Sequence, residues 1–263
     1  MSGTMSAPPM YGDKLDVSKT KPISMWTLVK VEMRKMIDTK AGMWLLIAIG
    51  LITAAIVVIM LLAANASDHT FINFMGATGA PQGFLLPVLG ILLVTQEWGQ
   101  RTGMVTFTLV PHRGQVLWSK VFAALLFGIA AVFVAMIIAA LATSIGGSSD
   151  GWANVGLDDV FKYGMLQVSS VLGGMAFGLL FLNSAGAIVV SFVLPIAISI
   201  VSGLWHALSK IQAWIDLGTS QMPLFNGDHM TGKEWSQLAV GTVIWVVIPF
   251  AVGMWRVMRA EVK

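Results

Sequence analysis

Residues 163–209 read YGMLQVSSVLGGMAFGLLFLNSAGAIVVSFVLPIAISIVSGLWHALS, and these 47 residues contain no Asp, Glu, Lys or Arg. One α-helix of that length would measure about 70 Å, more than twice the roughly 30 Å of hydrocarbon in a bilayer. The chain therefore has to fold back within the stretch, and Asn183-Ser184 is the expected turn. The stretch predicts two membrane-spanning helices, at 163–182 and 185–204.

Four further apolar runs approach or exceed the roughly 20 residues that a spanning helix needs. They are residues 41–64, 79–96, 121–143 and 238–255. The second contains Pro81 and Pro87, so a kink or a break is expected there. With 56% hydrophobic and 11% charged residues, against about 25% charged in soluble domains, the sequence predicts an all-α membrane protein with six spans.

The distribution of basic residues predicts the orientation of these spans. If the amino terminus is inside, thirteen of the sixteen Lys and Arg lie in cytoplasmic segments, and only Lys162, Lys210 and Lys233 lie outside. Both termini are then cytoplasmic, with polar tails at 1–22, expected to be disordered, and 257–263. The net charge of +3 does not indicate nucleic acid, because the basic residues flank helices instead of forming one patch. The expected location is a cell membrane, the bacterial inner or plasma membrane.

Residues 23–40 form an amphipathic segment before the first span. Apolar residues such as Trp26 recur at helical spacing, whereas Lys35 and its basic neighbours lie on other faces. This pattern predicts an interfacial helix on the cytoplasmic surface of the lipid bilayer. The helix either anchors the first span or docks a partner, and Glu32 either pairs locally with Lys35 or meets that partner.

The segment EWGQRTGMVTFTLVPHRGQVLWSK, residues 97–120, is the largest cytoplasmic loop. Its glycines and proline divide it into short pieces, and MVTFTLV within it alternates like a strand without any partner strand, so a short helix or a turn is also possible. It is either an ordinary loop with positive-inside charges or a docking surface. Apolar Val105, Phe107 and Leu109 favour docking, because such a patch is costly unless it packs on something.

Two further segments carry structural predictions. Ser170, Gly174 and Gly178 recur at every fourth residue, a small-residue spacing that lets helices approach closely, either within one subunit or between two. The outer loop 205–237 contains apolar residues in helical register and is expected to lie on the outer face or to dip into it.

Catalytic and nucleotide-binding motifs are weak in this sequence. There is no cysteine, no histidine at the depth of a serine within a span, and no spacing typical of a metal site. Residues 227–234, GDHMTGKE, approach the phosphate-loop pattern, but Glu234 stands where a hydroxyl is required. We therefore expect no enzyme activity, no nucleotide-binding module and no cofactor or metal in this chain.

The order of segments resembles the permease subunits of type-2 ABC transporters, which are mostly exporters. The resemblance covers the whole topology: an interfacial helix, six spans with both ends inside, a long first cytoplasmic loop and a structured last outer loop. Its local motif, "E…RT…TF…P.R..V..K", is loose and is carried by Glu97, Arg101, Thr102, Thr106, Pro111, Arg113, Val116 and Lys120.

The resemblance implies that loop 97–120 carries a coupling helix that sits in a groove of a separate ABC ATPase. Glu97 and Arg101 would flank that contact, Thr102 and Pro111 would belong to it, and Arg113 would lie on its far side. It also implies two copies of the ATPase, which bind ATP and Mg, and a second permease, expected to be a second copy of this chain. The substrate path would lie between the permeases.

The expected function is therefore that of a permease subunit that exports an amphiphilic or hydrophobic compound, such as a drug, a peptide or a lipid. The alternative is a membrane sensor or immunity protein that binds an antimicrobial without pumping it. A vesicle efflux measurement separates the two, since a protein that only binds shows no ATP-dependent turnover.

Overall fold

The structure is a computed structural model that describes residues 23–99, 106, 108–110, 112–146, 149–153, 155–225 and 229–259. Within those ranges the protein is helical and contains no β-strand. The predicted all-α class is confirmed, and so are six helices long and apolar enough to cross a membrane, counted over the same ranges.

The helices are numbered here in chain order. They are α1 (Met25–Asp38), α2 (Lys40–Ala63), α3 (Phe71–Gly99), α4 (Arg113–Gly146), α5 (Leu157–Phe181), α6 (Ser184–Leu204), α7 (His206–Ser209), α8 (Gln212–Ile215), α9 (Leu217–Gln221) and α10 (Gly232–Arg259). Short 3-10 turns occupy Ala66–Asp68 and Met222–Leu224, and α10 contains a π-helical stretch at Val243–Val247. The candidate spans are α2 to α6 and α10.

The fold-back in the long charge-free stretch lies at the predicted turn. Leu182 ends α5 in the left-handed region, with φ of 54°. Asn183 then caps α6, because its side-chain oxygen accepts a hydrogen bond from the N–H of Gly186 at 2.9 Å. The short polar side chain of Asn183 thus satisfies a backbone donor that the start of a helix leaves unpaired.

Helix α3 differs from the prediction of a shorter, interrupted span at 79–96. It is one helix from Phe71 to Gly99, in spite of Pro81 and Pro87. Each proline removes one backbone hydrogen bond, but α3 is packed against α2, α4, α5 and α6, and such contacts support a proline-containing helix in a membrane. The helix also begins earlier than predicted, at Phe71 instead of residue 79. The prediction left out its first two turns because they contain polar residues such as Asn73.

Helix α4 is also longer than its predicted span of 121–143. Its 34 residues correspond to about 50 Å at about 1.5 Å per residue, so it exceeds the roughly 30 Å of hydrocarbon in a bilayer. Because α4 begins at Arg113 and α3 ends at Gly99, the predicted loop 97–120 is reduced to residues 100–112.

The closest contact between two long helices joins α3 and α5. A Cβ added to Gly174 would lie 1.9 Å from the carbonyl oxygen of Pro87, and one added to Gly90 would lie 2.0 Å from that of Val171. Gly178 lies similarly against Ile91, whose Cα would be 3.1 Å from an added Cβ. The small-residue spacing on α5 therefore serves packing within one chain at Gly174 and Gly178.

Contacts between helix ends show which ends of the long helices lie on the same side of the bundle. At one end, the side chains of α1, the last turn of α3 and the first turns of α4 form ion pairs. We call this the α1 end. At the opposite end, both ring nitrogens of His69 lie 3.3 Å from backbone carbonyls, those of Met60 on α2 and Gly146 on α4.

Candidate functional site

Four charged side chains meet at the α1 end, and we call them the charge cluster: Glu32, Lys35, Glu97 and Lys120. The Nζ of Lys120 lies 2.5 Å from Glu32 Oε2 and 3.3 Å from Glu97 Oε1. The Nζ of Lys35 lies 2.7 Å from Glu32 Oε1 and 2.7 Å from Glu97 Oε1. Two ammonium groups therefore neutralise two carboxylates, and the cluster joins α1, α3 and α4.

Three members of the charge cluster are almost completely enclosed. The exposed fractions of the side chains are 3% for Lys120, 5% for Glu32 and 7% for Glu97, whereas Lys35 keeps 35%. The third donor position of Lys120 is satisfied by the carbonyl oxygen of Leu93 at 3.0 Å. Enclosed ions require such partners, because an unpaired charge in the interior costs several kcal/mol.

The charge cluster also reaches the connection between α3 and α4. The hydroxyl of Thr106 donates to Glu97 Oε1 at 3.2 Å. Thr106 therefore ties the connection to the same carboxylate that holds Lys35 and Lys120. The connection is thus bonded to a carboxylate that also joins α1, α3 and α4.

The electrostatic environment of Lys35 keeps it charged. Burial lowers the pKa of Lys35, but the carboxylates of Glu32 and Glu97 outweigh burial and raise the pKa above its ordinary value. The stabilisation that Lys35 contributes is consequently present at neutral pH and is lost only as the pH rises through this elevated pKa.

We expect this alkaline loss to be visible in the difference between the parent and the Lys35→Met variant. The difference in melting temperature should be constant between pH 6 and pH 9 and should shrink at higher pH, because only there does the parent lose the ammonium charge. Thermal melting of both proteins in the same detergent across this range tests the expectation. A difference that already shrinks between pH 6 and pH 8 would contradict it.

Glu97, which the resemblance implied would flank the contact with the ATPase, is buried. Its carboxylate is bonded to Lys35, Lys120 and Thr106 of its own chain. Glu32 forms the local pair with Lys35 and also pairs with Lys120.

Of the remaining residues of the predicted coupling surface, the structure describes Arg113. Arg101, Thr102 and Pro111 lie outside the described residues. Arg113 begins α4, and its guanidinium donates to the carbonyl oxygen of Val257 at 3.2 Å, so it links α4 to the end of α10. Its position therefore connects helices at the α1 end.

Part of the segment MVTFTLV is helical. Thr106, Thr108 and Leu109 have helical conformation, and the N–H of Val110 donates to the carbonyl oxygen of Thr106 at 2.9 Å. Of the two predicted conformations, this hydrogen bond favours the short helix over the strand. Val110 is buried, whereas Leu109 is 70% exposed, so the turn presents an apolar side chain on its outer side.

Helix α1 buries one face and leaves other residues exposed. Its buried residues are Val29, Glu32 and Met36, whereas Trp26 is exposed, with the ammonium of Lys30 5.9 Å from the centroid of its ring. The sequence left open whether Glu32 pairs with Lys35 or meets a partner, and its ion pair with Lys120 was not predicted.

A second candidate site is a cavity of about 390 Å³ between α3, α5, α6, α9 and α10. Gly83 and Phe84 line it from α3, Ser170 from α5, Phe192 from α6 and Gln221 from α9. We call it the α3–α6 cavity. Ser170 and Gly174 both line this cavity, and Gly174 and Gly178 also lie against the backbone of α3.

Helix α9 and its neighbours are the structured part of the predicted outer loop 205–237. Asp216 caps α9, since its carboxylate accepts from the N–H of Gly218 at 3.2 Å and from the hydroxyl of Thr219 at 2.6 Å. The indole N–H of Trp245 donates to the carbonyl oxygen of Ile215 at 2.8 Å. The Asp216 bonds order the start of α9, and the Trp245 bond joins the end of α8 to α10.

Comparison with known proteins identifies no family. No protein-family model matches this chain, and no curated protein matches its sequence. A search of the described residues finds no group of three or more His, Asp or Glu side chains placed to hold a metal ion.

Proposed function

We propose that this chain is the transmembrane permease subunit of an ATP-driven ABC exporter that moves an amphiphilic or hydrophobic compound. A separate ATPase, present in two copies and binding ATP and Mg, would supply the energy. A second copy of this permease would complete the assembly in a bacterial inner or plasma membrane. Six candidate spans and the segment from Glu97 to Lys120 support this proposal.

The proposed orientation places the α1 end and both termini in the cytoplasm. Thirteen of the sixteen Lys and Arg then lie on the cytoplasmic side. Helix α1 would lie at the membrane interface, with Trp26 and Lys30 exposed toward the lipid headgroups. The predicted loop of the resemblance, now residues 100–112, would face the partner ATPase.

The charge cluster carries the mechanical part of the proposal. When the ATPase moves the connection between α3 and α4, Thr106 and Glu97 would pass the displacement to α1 and α4 through Lys35 and Lys120. Enclosed ion pairs suit this task, because separating them leaves unpaired charges and is therefore costly. The three helices would tilt together and change access to the α3–α6 cavity, which we propose as the cargo compartment.

Exposed Leu109 provides a direct test of the ATPase contact. We expect Leu109→Asp to weaken association with the ATPase encoded beside this chain at least tenfold, or about 1.4 kcal/mol, because an apolar contact would be replaced by a buried charge. Leu157→Asp is the matched control, since Leu157 is 90% exposed and begins α5 at the opposite end. Co-purification and a titration of the two purified proteins measure the effect.

The control should bind the ATPase as tightly as the parent does. Equal affinity of Leu109→Asp and the parent would remove this surface from the contact. The alternative is a membrane sensor or immunity protein that binds an antimicrobial without pumping it. It predicts that vesicles containing this chain show no transport, even after an ATPase and ATP are added.

A further inference from the structure

We propose that the α3–α6 cavity binds an uncharged aromatic amphiphile within a single permease chain. This inference names the cargo class and therefore rests on the proposed function. It differs from a path lying only between two permeases, because residues of α3, α5, α6, α9 and α10 of one chain line the cavity. Its volume of about 390 Å³ lies within the roughly 300–1,000 Å³ of small-molecule sites.

The described lining of the cavity disfavours ionic ligands. Among the described residues, none that lines the cavity is Asp, Glu, Lys, Arg or His. An ionised ligand would lose its hydration there without gaining an opposite charge, which is strongly unfavourable in a surrounding of low polarity. A ligand without net charge avoids this cost.

Five of the described residues that line the cavity are aromatic: Phe84, Phe177, Phe192, Phe225 and Trp245. Phe84 and Phe192 stack with ring centroids 5.9 Å apart and planes inclined by 25°. Phe177 and Trp245 form a second pair with centroids 6.3 Å apart and an inclination of 36°. Phe84 is 63% exposed, so it stands at the accessible side of the cavity. Flat aromatic ligands pack favourably on such rings.

A small polar group on the ligand has defined partners. The side-chain amide of Gln221 donates to the hydroxyl of Ser169 at 3.2 Å, which leaves the amide oxygen of Gln221 as an acceptor beside the cavity. The hydroxyl of Ser170 also lines the cavity. One amine or hydroxyl on an otherwise apolar ligand could thus be bound, which is the pattern of an amphiphile.

Gly83 provides a variant that fills the cavity without disturbing the helix. A Cβ at Gly83 would meet no atom within 4 Å, and Gly83 lines the cavity. Gly50 on α2 is the matched control, because its added Cβ would also meet nothing and Gly50 does not line the cavity. Leucine at either position favours a helix over glycine by roughly 0.5–1 kcal/mol, so both variants should fold.

The test measures saturable binding of radiolabelled N-phenyl-1-naphthylamine, a neutral aromatic amine, to the permease in lipid nanodiscs. Two charged analogues accompany it, 8-anilino-1-naphthalenesulfonate and trimethyl(1-naphthyl)ammonium. We expect binding of the neutral probe at least tenfold tighter than that of either ion, after correction for empty nanodiscs. Gly83→Leu should weaken the neutral probe at least tenfold, whereas Gly50→Leu should stay within twofold of the parent.

Three results would overturn the inference: no saturable binding of the neutral probe, equal or tighter binding of an ion, or parental affinity in Gly83→Leu. Because the measurement contains neither ATPase nor ATP, its outcome is separate from that of the proposed function. Saturable neutral binding without ATP-driven transport would retain the site and reject the exporter. ATP-driven transport together with unchanged probe affinity in Gly83→Leu would reject the site alone.

Discussion

The Lys120→Met variant is expected to lose about 3–5 kcal/mol of stability, because it leaves Glu32 and Glu97 enclosed with one cation between them. At roughly 2–4 °C per kcal/mol for a chain of this size, the melting temperature should fall by about 10 °C. Thermal melting of purified protein in detergent measures the loss. Methionine preserves most of the side-chain volume, so a change in charge and not a cavity is tested.

Arg34→Met is the matched control for this prediction. Arg34 also faces a carboxylate, with its Nε 3.3 Å from Asp38 Oδ2, but the two side chains are 84% and 64% exposed. Exposed pairs of this kind contribute about 0–1 kcal/mol, so the melting temperature should barely change. A double variant, Lys120→Met with Glu32→Gln, restores charge balance and should recover part of the loss. Equal melting temperatures for Lys120→Met and Arg34→Met would contradict the role of the charge cluster.

The Gly174→Ala variant is expected to be the most damaging single-methyl addition along α5. The new Cβ would lie 1.9 Å from the carbonyl oxygen of Pro87 and 2.5 Å from its Cα, both on the backbone, so α3 and α5 would have to separate. Overpacking of this kind costs about 3 kcal/mol, at the upper end of the usual range. Melting temperature and the yield of monodisperse protein measure the effect.

Gly173→Ala is the neighbouring control. Its added Cβ would meet only Val246 Cγ2 at 3.8 Å, an ordinary contact. Alanine also favours the helix over glycine by roughly 0.5–1 kcal/mol, so Gly173→Ala should be neutral or slightly stabilising. If the two variants melted at the same temperature, the close approach of α3 and α5 would be wrong.

The sequence sufficed for the helical class and for the six candidate spans. Charge is nearly excluded from hydrocarbon, so charge-free runs mark the spans, and the stretch between Lys162 and Lys210 requires a turn by its length alone. The turn at Asn183 also carried a local signal, because asparagine is a strong helix cap. These predictions depend only on distance along the chain.

The charge cluster could not be predicted, because it depends on how helices rotate against each other. Glu32, Glu97 and Lys120 are far apart in sequence, and spacing within one segment does not show which faces meet. The start of α3 was misplaced for another reason: its first turns contain polar residues such as the exposed Asn73, which are typical of a loop.

The α3–α6 cavity could not be predicted from the sequence either. Gly83, Ser170 and Gln221 lie on three different helices, and none forms a motif with its neighbours. The spacing of Ser170, Gly174 and Gly178 predicted a close helix contact, and two of the three positions make one within the chain. Ser170 lies at the same spacing and lines the α3–α6 cavity.

ATP-dependent transport in reconstituted vesicles tests the proposed exporter most directly. The permease and the ATPase encoded beside it are placed together in proteoliposomes loaded with labelled N-phenyl-1-naphthylamine, and probe movement is followed with ATP and Mg or with ATP withheld. We predict net movement of the probe only when permease, ATPase, ATP and Mg are all present, and loss of that movement in Leu109→Asp. Probe movement that is unchanged by ATP and by the ATPase would contradict the account.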